Sequence, residues 1–116
     1  MTDQKITLDS AWVPSSCTLP TEQQPLRVAE FDAFFAEAVR TLERPAPTRL
    51  RLGLDAGPAV AARAAELTAR ENGCCSFFTF TLTITGDGMA LEVEVPAGRV
   101  VVLDALQARA AGVGRV

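Results

Sequence analysis

Two hydrophobic rhythms take turns along the chain. Between Pro25 and Arg44 the apolar residues Val28, Phe31, Phe35, Ala38, Val39 and Leu42 recur at helical spacing, and Pro45 with Pro47 ends the run. This predicts a first helix over 25–44. From Thr48 to Leu54 the period falls to two, with Leu50, Leu52 and Leu54 on one side and Arg49 and Arg51 on the other, as in a half-exposed strand. Asp55-Ala56-Gly57-Pro58 supplies a capping acid and a proline near the first helical position. The alanine-rich stretch after it predicts a second helix to Glu71, closed by Asn72-Gly73. Ser76 to Ile84 then sets Phe78, Phe80, Leu82 and Ile84 against Phe77 and three threonines. After Gly86-Asp87-Gly88, Leu91, Val93 and Val95 oppose Glu92 and Glu94, which together predict a hairpin. Arg99 to Ala111 returns to helical spacing through Val102, Leu103, Leu106 and Ala110.

The predicted order is helix, strand, helix, strand, strand, helix. Strands with one polar face and amphipathic helices between them imply an α+β fold, a two-layer α/β sandwich with helices on one face of a small sheet. If the strands at 48–54 and 76–84 are parallel neighbours, the sheet is mixed and its crossover right-handed. Residues 15–112 read as one α/β domain. Residues 1–14, alternating weakly through Ile6, Leu8 and Trp12, read as an amino-terminal arm or peripheral strand, and residues 113–116 as a tail. Repeats and low-complexity tracts are lacking.

Composition narrows the chemistry more than the fold. The 116 residues contain no His and no Tyr, which excludes from the chain a Ser-His-Asp triad, a Cys-His dyad and an imidazole-ligated metal. Three cysteines are then the groups that are nucleophilic near neutral pH without a base. A net charge of −3, with arginines interleaved among acids, leaves no basic footprint for nucleic acid. The start, Met-Thr-Asp-Gln-Lys, lacks a basic segment followed by an apolar one, and no apolar run approaches the ~18 residues of a membrane span. The expectation is a cytoplasmic protein with neither membrane nor nucleic acid as partner. An odd number of cysteines fits reduced thiols better than a disulfide framework. Abundant alanine, and Lys5 as the one lysine beside many arginines, suit a high-GC bacterial source.

Cys74 and Cys75 fall where the second helix gives way to the hairpin, and junctions of this kind are common places for sites. Val60, Ala64 and Leu67 mark the inner stripe of that helix, and Glu71 falls on the same stripe one step later. A carboxylate there is disfavoured by burial and by the helix macrodipole unless a partner such as Arg27 or Arg70 neutralises it. Competing structural readings stand beside each: packing for the cysteines, a frayed helix end for Glu71, and an i,i+3 surface pair for Arg27 and Glu30. The Phe31, Phe34, Phe35 and Phe77, Phe78, Phe80 groups are core.

These residues carry a resemblance. Cys17-x-Leu19, Arg27 and Glu30 three apart on a helix, and Glu71-x-x-Cys74-Cys75-x-Phe77-x-x-Phe80 together resemble a family of small bacterial proteins of no settled activity, over roughly residues 15 to 106. The resemblance implies proximity to regulators of mercury or arsenic stress, and a site shared by the two halves of the motif. Three sulfurs without imidazole suit Hg(II), As(III) or Cu(I) better than a four-ligand structural zinc. The leading expectation is therefore a soft metal or metalloid ion held by Cys17, Cys74 and Cys75 with Glu71 assisting. A thiol-dependent enzyme is the alternative, arsenate reductase-like or organomercurial lyase-like, with Cys74 or Cys75 attacking, Glu71 moving the proton and Arg27 holding an anion. The third reading is an interaction module with inert cysteines. An exposed sheet edge also allows a symmetric homodimer.

Overall fold

The computed structural model of the chain describes residues 24–74 and 76–113, with side chains described for 28–73 and 76–112. The predicted arm at 1–14, Cys17, Cys75 and residues 114–116 of the tail predicted at 113–116 lie outside the described residues. So do the side chains of Arg27 and Cys74. The described elements are α1 (Gln24–Ala38), β1 (Val39–Ala46), β2 (Arg49–Leu54), α2 (Pro58–Cys74), β3 (Thr79–Thr85), β4 (Gly88–Glu94), a 3-10 turn (Ala97–Arg99) and α3 (Val100–Val113). The fold is α+β: three α-helices cover one face of a four-stranded sheet, and the expected sequence of helices and strands is met with one strand added.

The added strand is β1, which corrects the helix expected over 25–44. Helix α1 stops at Ala38 and the chain passes straight into a strand. The reason is a β-bulge. Val39 pairs with Leu54 and Thr41 with Gly53, so Arg40 is the extra residue and alternation restarts after it. Val39 and Leu42 thereby both face the core although they lie three apart, a spacing that in sequence mimics a helix. Arg40, displaced by the bulge, pairs with Asp55.

The sheet order is β1-β2-β4-β3, and every neighbouring pair is antiparallel, which corrects the expected mixed sheet. β2 and β3 do run in the same direction, but β4 lies between them. Side chains explain the insertion. Register sets Arg49 opposite Glu94 and Arg51 opposite Glu92, so β4 offers both arginines of β2 an opposite charge, where β3 would offer threonines. β4 is also the more apolar strand, with Met89, Ala90, Leu91 and Val93 all buried, and gains more from a central position. The hairpin turn joins Thr85 to Gly88, whose φ of 143° is open to glycine and strained for other residues.

Leu50, Leu52, Leu54, Leu91 and Val93 on the covered face meet Phe31, Phe34 and Phe35 of α1, Leu67 of α2, and Leu103 and Leu106 of α3 in one core. Polar ties fix the helix layer at its rim. Arg109 of α3 donates two hydrogen bonds to Asp32 of α1, at 2.8 and 2.5 Å, and Arg44 of β1 reaches Asp104 of α3 at 2.7 Å. The opposite face of the sheet is open and polar. Its rows read Thr41-Gly53-Ala90-Thr83 and Glu43-Arg51-Glu92-Thr81 across the four strands. No helix among the described residues is long and apolar enough to cross a membrane.

Candidate thiol site at the end of the second helix

α2 owes its stability to alanine propensity and to an inner stripe. Ala64 and Leu67 are completely buried, Val60 is half-buried, and the helix packs against α1 and β3. Glu71 continues the stripe as expected and is 1% exposed. It is the one polar or charged residue that is fully buried among the described residues, and it has a polar or electrostatic contact. It also stands in the last turn of α2, where the partial negative charge of the helix end opposes a carboxylate. Local propensity therefore does not account for this placement.

Arg70, one of the two cations expected to neutralise Glu71, points elsewhere. It is 43% exposed and its guanidinium lies 3.1 Å from Glu30 and 3.7 Å from Glu66. Glu30 is thus tied across to α2. The backbone of Arg27 lies on α1 one turn before Glu30, which is all the structure describes of that residue.

The helix runs one turn-fraction further than the Asn72-Gly73 stop predicts. Gly73 keeps a negative φ and Cys74 closes α2, while β3 begins only at Thr79. Strand alternation therefore does not govern Cys74, which belongs to the helix. Aromatic rings follow the cysteines. Phe77 and Phe78 have centroids 4.6 Å apart, Phe78 and Phe80 stack at 5.2 Å, and Phe78 is 2% exposed. This apolar floor is the core role expected of these phenylalanines, with Phe77 and Phe80 only partly buried.

Sequence reasoning missed Arg99. Its guanidinium carbon lies 4.7 Å from the centroid of Phe77, two residues past Cys75, so a cation stands beside the junction. The available signal was its position just before α3, where the macrodipole disfavours positive charge. Among the described residues, no group of three or more Cys, Asp or Glu side chains gathers in the manner of a metal site.

The fold and this junction define a small two-layer α+β domain whose unusual chemistry is a buried carboxylate one turn before a doubled cysteine. Compared with family models, with curated proteins and with solved structures, the chain gives no significant match.

Proposed function

We propose that this protein binds a soft metal or metalloid ion, Hg(II), As(III) or Cu(I), through Cys17, Cys74 and Cys75, with Glu71 supporting the thiols. The observation that carries the reading is the burial of Glu71, 1% exposed in the final turn of the helix that ends at Cys74. A buried carboxylate has to be compensated by a partner, and a leucine at this position would continue the apolar stripe without needing one. Departures of this kind from local preference tend to accompany function. The motif resemblance and the lack of His point the same way, because thiolates are what the chain can offer and thiolates favour soft ions. Such a site needs reduced thiols, which supports a cytoplasmic setting.

Native mass spectrometry of the full chain with Hg(II), As(III), Cu(I) and Zn(II) offered in turn tests the proposal. One soft ion should bind per chain, Zn(II) should bind more weakly, and serine at Cys17, Cys74 or Cys75 should each weaken binding. Thiol titration of the folded protein should show rapid reaction that the bound ion protects against. Glu71→Gln, which keeps the shape and removes the charge, should weaken the ion while the far-UV spectrum stays that of the parent. A thiol-dependent enzyme is supported instead if one serine variant abolishes turnover and the other traps a mixed disulfide. Silent thiols and no ion uptake would remove both readings and leave an interaction module.

A further inference from the structure

Among the described residues, the two edges of the sheet are built differently. β1 carries Arg40, Glu43, Arg44 and Pro45 and breaks its register twice, all devices that discourage a further strand from pairing. β3, at the other edge, has none of them. Its sequence is Thr79-Phe80-Thr81-Leu82-Thr83-Ile84-Thr85, without a charge, a proline or a glycine, and it pairs with β4 through seven consecutive residues without a break. Ile84 is 61% exposed there.

The same strand is nearly palindromic about Leu82. Pairing it antiparallel with itself around a two-fold axis sets Leu82 opposite Leu82 and Phe80 opposite Ile84. Thr81 then faces Thr83, and Thr79 faces Thr85. Every threonine falls on the open face of both sheets and every apolar side chain on the helical face, so the register that satisfies the backbone also satisfies burial. No like charges meet across the axis, because the seven residues carry none. A groove of about 280 Å³ between α2 and the sheet edge, lined in part by Ala65, Ala69, Phe80 and Leu82, opens on the same side. Its short α2 side chains leave room for the apolar side chains of a second β3.

We infer that β3 is a homodimer interface, and that its occupant is the β3 strand of a second copy of this chain, giving a continuous eight-stranded antiparallel sheet. The dimensions agree. Seven strand residues span about 24 Å at ~3.4 Å each, and two layers packed ~10 Å apart give a strip about 20 Å deep. The projected area, roughly 500 Å² per copy, is of the order of the ~600 Å² per partner at the lower end of stable interfaces. Ile84, exposed in one copy, would be covered in two.

Light scattering coupled to gel filtration of the full chain tests this. At about 100 μM, within reach of a micromolar Kd, the mass should be twice the 12.3 kDa of one chain. Amides of residues 79–85 should exchange more slowly as protein concentration rises. Thr81→Lys with Thr83→Lys puts lysines opposite each other twice on an exposed face, and should give a monomer with an unchanged far-UV spectrum. Thr81→Lys with Thr83→Glu puts opposite charges in the same places and should restore the dimer, a rescue that depends on this register. A dimer indifferent to the double lysine variant would overturn the inference. So would a monomeric parent protein, including one whose 79–85 amides exchange slowly at every concentration, since the edge would then be covered by another segment of its own chain.

Discussion

Gly53 in β2 is a sharp test of how the open face of the sheet is packed. A Cβ placed on Gly53 would lie 2.1 Å from Oγ1 and 3.4 Å from Cβ of Thr41, its partner across the β1–β2 ladder. The first distance is far inside van der Waals contact and the second is close to it. Gly53 does not have a positive φ, so Gly53→Ala meets a steric obstacle and not a backbone one. Thr41 is β-branched and stiff at χ1, and turning its hydroxyl away, with small shifts in the bulged β1, should cost about 1 to 3 kcal/mol. Alanine returns about 0.4 to 1 kcal/mol by restricting the unfolded chain. The net expectation is a loss of about 1 kcal/mol. In a Thr41→Ala background the hydroxyl is gone and the same substitution should gain about 0.5 kcal/mol, so the two positions should couple by roughly 1 to 2 kcal/mol. Urea denaturation of the four proteins, followed by far-UV circular dichroism, measures the cycle. If Gly53→Ala has the same effect with and without the Thr41 hydroxyl, the close approach is not what keeps glycine here.

Other outcomes follow from the ion pairs and the hairpin. Arg51→Glu places a third acid between Glu43 and Glu92 and should cost about 1 kcal/mol, much of it regained by adding Glu92→Arg and weakened by salt, as urea midpoints at low and high ionic strength will show. Asp32→Ala removes the forked contact from Arg109, whose partners are only 26% and 22% exposed, and should cost about 1.5 to 3 kcal/mol with less salt dependence by the same assay. Gly88→Ala forces a side chain into a φ of 143° and should lower the thermal midpoint, with a loss of about 1 to 3 kcal/mol.

Most of the fold was legible because burial follows short-range periodicity. The leucines of β2, the hairpin around Gly86-Asp87-Gly88 and the inner stripe of α2 all lie where their spacing puts them. Two features were hidden for physical reasons. The bulge at Arg40 spends one residue without advancing the pleat, so Val39 and Leu42 carry a helical spacing inside a strand. Strand order depends on contacts between residues about forty positions apart. Its signal was nevertheless present, as arginines at 49 and 51 matched by glutamates at 94 and 92 with the same separation of two.

For the site, the part that periodicity governs was legible and the part that tertiary contact governs was not. The stripe through Ala64 and Leu67 extends to Glu71 by geometry alone, and Glu71 is buried as that geometry requires. What compensates it depends on tertiary contact, and the cation nearest in sequence, Arg70, is drawn outward to Glu30 and Glu66 because adjacent helical positions point about 100° apart. This separates two meanings of a buried acid. A glutamate kept for the fold alone would matter to stability and to nothing else, because removing one member of a buried polar contact leaves the other unpaired. A glutamate kept for the thiols that follow it would matter to the ion as well, beyond any change in stability. Under the proposed function, Glu71→Gln therefore weakens ion uptake even where the protein stays folded, an outcome that inert cysteines would not produce.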